Sequence, residues 1–200
     1  MPVVPTKANL MASKKSLNLS SGGYDLLDRK RSILVREMMA LIGVATEIQK
    51  KIDSTYSDAY AALQRANIVL GFIEPLAKAV PTDNGLDITY RSVMGVELLD
   101  VALAEENQGI PFGLHTSDSL LDEAYLKFVE VKRLTARLAQ VENSVYRLAD
   151  SIKRTQKRAN ALKNIMIPRF QGDIKFITEA LEEKDREEFS RLKVIKAKKV

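Results

Sequence analysis

The sequence of 200 residues contains no cysteine and a single histidine, His115. These absences exclude disulfides, thiolate zinc sites, cysteine nucleophiles and metal sites that need several histidines. The lack of cysteine also favours a reducing compartment. Because His115 falls in a loop segment with no second histidine nearby, we expect it to be structural rather than catalytic.

Long uncharged runs are also missing. The most apolar charge-free run, residues 38–46, is far shorter than the roughly twenty residues that a membrane helix needs. The first residues, "MPVVPTKANLMASKK", lack the apolar core of a secretory signal. We therefore expect a cytoplasmic protein without direct membrane insertion, which is peripheral to a membrane only through its partners.

Motifs for catalysis are absent as well. The phosphate-binding pattern GxxxxGK[ST] does not occur. Adjacent acids such as Glu105 and Glu106, or Glu182 and Glu183, diverge on a helix, whereas general acid–base pairs must converge in a cleft. We expect a non-catalytic chain with no catalytic residues, no cofactor and no metal.

The sequence does contain two long heptad patterns, which are typical of coiled coils. The first continues to Ile73, and Pro75 is predicted to end it. The second begins near Leu121 and reaches Ile165, and a kink or a break is expected at Pro168. The predicted seam residues are Leu27, Leu34, Met38, Leu41, Ile48, Ile52, Leu63, Leu70, Phe128, Val131, Leu138, Val145, Leu148, Ile152 and Leu162.

Two apolar segments of similar length predict an all-α fold, a long antiparallel two-helix coiled coil with a small connecting head. The predicted parts are an N-terminal helix within residues 1–74, a head over 75–119 and a C-terminal helix with a basic tail over 120–200. In the simplest register, residue i lies opposite residue 195 minus i. At about 1.5 Å per residue, the first helix alone would be on the order of 100 Å long.

Two parts of the pattern leave alternatives open. In the head, "LDITYRSVMGVELLDVAL" contains β-formers that indicate a short hairpin or strand pair, and residues 97–104 are also compatible with a small helix. Gly22 and Gly23 each cost about 1 kcal/mol inside a helix relative to Ala. Either something offsets that cost, or the long helix begins after Gly23 and residues 10–19 form a separate short helix.

Positive charge is concentrated at the two ends of the sequence. Residues 1–36 carry seven Lys or Arg against two acids, and residues 189–200 carry five and none. The triplet of residues 29–31 is by itself best explained as a solvated helix face, because successive helical residues point about 100° apart. A basic tail can bind DNA phosphates, but no aromatic platform or DNA-binding motif accompanies it. We therefore expect no direct nucleic-acid partner.

Several stretches resemble a known family. "GYDLLDRKRSIL", "RANALKNIMIP" and "LEEKDREEFSRLKVIK" are similar to terminal signatures of the D subunit of V-type and A-type rotary ATPases, and "SVMGVELL" is similar to its central segment. The resemblance implies a central rotor stalk, without an active site, that transmits torque between the catalytic hexamer and the ion-translocating ring in the membrane.

The same resemblance implies partners. These are the catalytic and non-catalytic subunits of the hexamer, the small F subunit of the rotor and a funnel-like subunit that joins the stalk to the membrane ring. We expect the following basic residues to contact partners: Arg29, Lys30, Arg31, Arg158, Arg191, Lys193, Lys196, Lys198 and Lys199. The alternative function is a static coiled-coil scaffold or tether with some affinity for nucleic acid.

Overall fold

The computed structural model describes residues 4–71, 73–78, 80, 85–103, 112–113 and 117–198. Its elements are α1 (Lys7–Leu70), α2 (Glu74–Lys78), β1 (Leu86–Val93), β2 (Val96–Leu103), α3 (Ser119–Ala161), a π-helical segment (Leu162–Met166) and α4 (Ile167–Lys198). Long helices with one small antiparallel hairpin confirm the predicted fold class. His115, Lys199 and the pair Glu105 and Glu106 lie outside the described residues.

Helix α1 begins and ends with local capping interactions. Thr6 precedes the helix, and its hydroxyl oxygen accepts a hydrogen bond from the Asn9 backbone N–H at 3.2 Å. At the other end, Gly71 has a φ of 72°, and its N–H donates to the Asn67 carbonyl at 3.0 Å. The helix therefore ends before Pro75, where we predicted its end. Pro75 lies in the first turn of α2, where its missing N–H has no helical partner to lose.

The glycine pair lies inside α1, so of the two alternatives the separate short helix before Gly23 is wrong. A Cβ atom at Gly22 would meet nothing within 4 Å, and one at Gly23 would lie 3.7 Å from the Leu162 side chain. That distance is an ordinary van der Waals contact. Neither glycine is needed for close approach between α1 and the helical segment that contains Leu162.

Strands β1 and β2 form a hairpin with a two-residue turn. The pairing runs from Val93 opposite Val96 to Leu86 opposite Leu103. The turn residues Met94 and Gly95 have φ values of 51° and 74°, and two positive φ angles in succession define a type I′ turn. The hairpin prediction is confirmed. A helix over residues 97–104 is wrong, because residues 97–103 pair with β1 instead.

Pro168 neither breaks nor ends the helix that contains it. Proline has no N–H, and its ring clashes with the carbonyl four residues earlier, which here belongs to Asn164. The backbone widens over Leu162–Met166, where the Ile167 N–H donates to the Leu162 carbonyl five residues before it. This π-helical segment lets α4 continue through Pro168 without an interruption.

The chain forms two compact units. One consists of Met1–Ile33 with Ile152–Val200, and the other of Leu34–Ser151. In the first, the Gly23 backbone lies beside Leu162, and Arg31 bonds to Gln156. These pairs make the helices antiparallel, but their register is about two turns away from our expectation, which placed Arg31 opposite Asn164.

The unit of Leu34–Ser151 has its own core between α1 and α3. Ile48, Ile52 and Val141 are buried together, and Leu41 and Leu138 pack against them. A second cluster joins Ala66, Phe112 and Leu121. Further along, the rings of Tyr60 and Phe128 meet edge to face with centroids 5.5 Å apart. The helices of this unit are therefore antiparallel as well.

Candidate partner-binding surfaces

None of the predicted seam residues is classed as exposed. Five of them are buried, namely Leu34, Ile48, Ile52, Val131 and Leu148. The others are half-buried: Leu27, Met38, Leu41, Leu63, Leu70, Phe128, Leu138, Val145, Ile152 and Leu162. Because apolar contacts occupy the seam, the surfaces left for partners are the outward faces, the hairpin and the helix ends.

The three residues of the basic triplet have different surroundings. Arg29 is exposed and Lys30 is half-buried. Arg31 contacts the Asp28 carboxylate at 2.6 Å and donates to the Gln156 side-chain oxygen at 2.6 Å. Arg31 therefore links α1 to α3 while its side chain stays half-exposed. Gln156, which accepts its hydrogen bond, carried no signal in the sequence that would have identified it.

The end of α4 has no cover from any other described element. Every residue over 182–198 is exposed. Phe189 and Leu192 are 60% and 64% exposed although they are apolar. This stretch contains the predicted contact residues Arg191, Lys193, Lys196 and Lys198. Arg158, in the last turn of α3, is exposed too.

Local pairs stabilise this end of α4. Arg186 lies 3.7 Å from Glu182, and Arg191 lies 3.7 Å from Glu187, both one turn away on the same helix. The Lys193 ammonium lies 4.8 Å from the centre of the Phe189 ring. Such exposed contacts are weak, so these side chains can exchange them for contacts with a partner.

Charge differs strongly between the two units. The unit of Met1–Ile33 with Ile152–Val200 carries 20 Lys or Arg and 9 Asp or Glu, whereas the unit of Leu34–Ser151 carries 11 and 17. All the predicted partner-contact residues belong to the basic unit. A basic surface of this kind favours acidic partners, and it attracts them over distances up to about 10 Å at moderate salt.

The hairpin is held against α3 by side chains that the sequence pattern did not single out. The Ser144 hydroxyl donates to the Leu99 carbonyl at 3.5 Å, and the Arg147 guanidinium donates to the Glu97 carbonyl at 3.2 Å. The Gln140 amide donates to the Asp100 carboxylate at 2.7 Å. Side chains of α3 thus cover the outer edge of β2.

Two further contacts and one buried side chain complete the attachment of the hairpin. The Arg147 guanidinium lies 5.6 Å from the centre of the Tyr90 ring, and Arg91 lies 3.6 Å from Glu37 of α1. Leu98 of β2 is buried to 1% exposure. The hairpin is therefore a packed part of its unit rather than a free loop.

Glu123 of α3 forms an ion pair with a lysine one turn further along the helix. A hydrogen bond from Lys127, 2.8 Å away, lowers the pKa of Glu123, and the charges of Lys127 and Arg65 act in the same direction.

Within the described ranges, no group of three or more His, Cys, Asp or Glu side chains is placed to hold a metal ion. None of the described helices is both long enough and apolar enough to span a membrane.

Long paired helices with a small β-hairpin and a basic, uncovered helix end define a coiled-coil protein. The family of ATP synthase D subunits matches residues 9–197, and the chain belongs to this family. It is 44% identical to the D subunit of the V-type ATP synthase of Thermotoga neapolitana over 200 residues, which cover 99% of this chain and 98% of that relative.

Archaeal relatives are also similar over nearly their whole length. The D subunit of the A-type ATP synthase of Pyrococcus abyssi is 33% identical, over 98% of this chain and 94% of its own. The corresponding D subunit of Thermococcus kodakarensis, also of an A-type ATP synthase, is 34% identical, with the same shares covered. Membership of the family therefore extends over the helices, the hairpin and the basic helix end together.

Proposed function

We propose that this chain is the central rotor stalk of a V-type or A-type ATPase and that it transmits torque between the catalytic hexamer and the membrane ring. The observation that carries the proposal is the match to the D-subunit family over residues 9–197. On this proposal the chain is non-catalytic and needs no cofactor, because its role is mechanical.

The packing of the helices supports a mechanical role. A stalk that transmits torque must resist twisting, and two helices interlocked along a continuous apolar seam are stiffer than one helix. The seam includes Leu34 and Leu148, which are fully buried. Buried interlocking side chains cannot slide past one another without opening the core, and this would resist rotation of one helix against the other.

The exposed helix end supports a moving contact. A rotor must pass each surrounding subunit in turn, so its contacts must be weak and similar in every direction. Residues 182–198 of α4 are exposed on all sides, and each exposed ion pair contributes only about 0 to 1 kcal/mol. We infer that this end, with Arg191 and the nearby lysines, meets the hexamer of catalytic and non-catalytic subunits.

The remaining partners are proposed from family membership alone. They are the small F subunit of the rotor, along the paired helices, and the funnel-like subunit that leads to the membrane ring. On this proposal the chain lies at the cytoplasmic side of the membrane and is held there through the complex.

The composition of the complex tests the assignment. The tagged chain should be purified from its source cells in mild detergent and analysed by native mass spectrometry. We expect one copy of this chain with three copies each of the catalytic and non-catalytic subunits. A homodimer without ATPase subunits would instead support a static scaffold.

A disulfide lock tests rotation itself. Because the chain contains no cysteine, one introduced at the exposed Ser190 of α4 is unique. It should be combined with one cysteine in the facing catalytic subunit. Oxidation should stop ATP hydrolysis, and reduction should restore it. The Ser190→Cys chain without the second cysteine is the control. Full activity in the locked complex would rule out rotation.

A further inference from the structure

The two edges of the hairpin differ in how they are covered. The pair Val93 and Val96 flanks the two-residue turn, and such a pair exchanges hydrogen bonds in an antiparallel hairpin. Because bonded and non-bonded pairs alternate, the backbone groups of Glu97 and Leu99 point away from β1. The α3 side chains that bond to these two carbonyls agree with this alternation.

The same alternation fixes the outer edge of β1. The backbone N–H and C=O groups of Leu86, Ile88, Tyr90 and Ser92 point away from β2. Among the described residues, no hydrogen bond to these outward groups is present, and every residue of β1 except Val93 is exposed. The edge therefore offers a row of donors and acceptors at the spacing of a third strand.

Side chains along this edge are apolar at alternate positions. Leu86, Ile88 and Tyr90 are 50%, 46% and 60% exposed and share one face of the hairpin. Edge strands that stay single often carry charged residues, lysine above all, or proline, which discourage pairing. Strand β1, "LDITYRSV", carries Asp87 and Arg91 but neither lysine nor proline. The strand therefore lacks two of the residues that most strongly discourage a neighbour.

Charge along the edge restricts the neighbour further. Arg91 already lies 3.6 Å from Glu37. No ion pair to Asp87 is present among the described residues, and Asp87 is exposed. A strand that carries a basic residue opposite Asp87, next to apolar residues facing Leu86 and Ile88, would complement both the charge and the surface.

We propose that β1 is a docking edge on which another subunit of the same complex adds an extended strand, with alternate apolar residues and one basic residue opposite Asp87. This inference rests on the proposed function, because the strand is donated within the ATPase complex. Main-chain hydrogen bonds supply the affinity in this mode of recognition, and the alternate side chains supply the specificity.

A photo-cross-linking experiment in the assembled complex tests the proposal. Leu86→p-benzoylphenylalanine places a photoreactive group at an exposed position, four residues before Tyr90, whose ring contacts Arg147 of α3. After irradiation, the cross-linked peptide is identified by mass spectrometry. We expect it to come from an extended segment of another subunit. A cross-link to a second copy of this chain or to a helix, or no cross-link in a correctly assembled complex, would overturn the proposal.

A matched pair of variants distinguishes the loss of an outward hydrogen-bond donor from disruption of the hairpin itself. Ile88→Pro removes an outward N–H, which an edge strand tolerates, and should lower the cross-link yield about tenfold through the lost main-chain bond. Ile88→Val keeps that N–H and should leave the yield unchanged. Thr89→Pro removes an N–H that bonds to β2, so it provides the reference for a disrupted hairpin.

Hydrogen exchange at Leu98 shows whether the hairpin is intact in each variant, because the Leu98 N–H points toward β1. An unchanged yield in Ile88→Pro, with Leu98 still protected, would contradict strand addition. If the complex assembles normally, that result leaves the rotor function standing. If the wild-type chain joins no ATPase complex, the proposed function fails and the docking edge fails with it.

Discussion

At the scale of single residues, Arg31 connects α1 to α3 through Gln156 and also pairs with Asp28 on its own helix. Arg31→Met should lower the free energy of unfolding by about 1 kcal/mol, because a hydrogen bond to a charged, half-exposed group is lost. Arg29→Met, at an exposed position, is the matched control and should change it by less than about 0.5 kcal/mol. Urea denaturation followed by circular dichroism measures both. Equal effects would show that the link contributes nothing.

Replacement by alanine should change stability in opposite directions at two glycines that differ in backbone conformation. Gly22→Ala should stabilise the protein by about 1 kcal/mol, since the position is helical and open to solvent. Gly95→Ala should destabilise it by about 1 to 2 kcal/mol, because φ is 74° in the turn. Thermal unfolding of the two variants provides the comparison. A loss of stability in Gly22→Ala would mean that the helix needs flexibility there.

The pKa of the Glu123 carboxylate is lowered, so its ionised form is favoured in the folded protein. The stabilisation that the ionised carboxylate adds to the folded state is complete above the ordinary pKa of 4.5 and is lost as the pH falls through the lowered value. Lys127→Met should raise the pKa of Glu123 toward 4.5, as measured by NMR titration of its side-chain carboxyl. Lys132→Met, further along α3, is the control. An unchanged pKa in Lys127→Met would exclude the hydrogen bond as the cause.

At the scale of elements, the π-helical segment Leu162–Met166 accommodates Pro168. Replacing that proline should return the segment to regular α-helix. Pro168→Ala restores an N–H and removes the clash with the Asn164 carbonyl, so the free energy of unfolding should rise by about 1 to 3 kcal/mol. Amide exchange over residues 162–168 should slow as regular helical bonds form. Unchanged stability and exchange would show that the π-helical geometry has another cause.

The elements also show how much of the fold the sequence predicts. The heptad pattern predicts both long helices because the apolar stripe must be buried by a partner helix, and Leu34 and Leu148 are indeed fully buried. The end of α1 is set by Gly71, whose positive φ closes the helix before Pro75 can act. Both are helix-ending signals, and the earlier one decides the boundary.

Other details depend on contacts that a linear pattern does not contain. Residues 97–103 carry apolar residues at spacings that fit a helix or a strand, and pairing with β1 across the Met94 and Gly95 turn selects the strand. Among the basic residues, charge indicates an outward surface for Arg29 and Arg158, which are exposed. Arg31 differs because Gln156 lies opposite it, and only the register of the two helices determines that neighbour.

At the scale of the whole molecule, the segregation of charge between the two units makes a prediction about assembly. Replacing Lys193, Lys196 and Lys198 together by Glu should weaken binding to the hexamer about tenfold, because several contacts of about 0.5 kcal/mol each are reversed. Coupled ATPase activity of the reconstituted complex should fall accordingly, most strongly at low salt.

The control for that variant reverses charge in the other unit. Lys50 and Lys51 are exposed on α1 within Leu34–Ser151, and their replacement by Glu should leave hexamer binding unchanged. Equal losses in both variants would indicate an effect of net charge alone. No loss in either would remove the basic tail from the proposed contact with the hexamer.

The end of α4 has a consequence for how assembly can be observed. Residues 182–198 form a single helix whose stability comes only from local pairs such as Glu187 with Arg191, and isolated helices of this length are marginal in water. In the free chain this segment should fray and exchange its amide hydrogens within seconds. Enclosed by surrounding subunits, it should become protected, so these amides form a natural reporter of occupancy that requires no label.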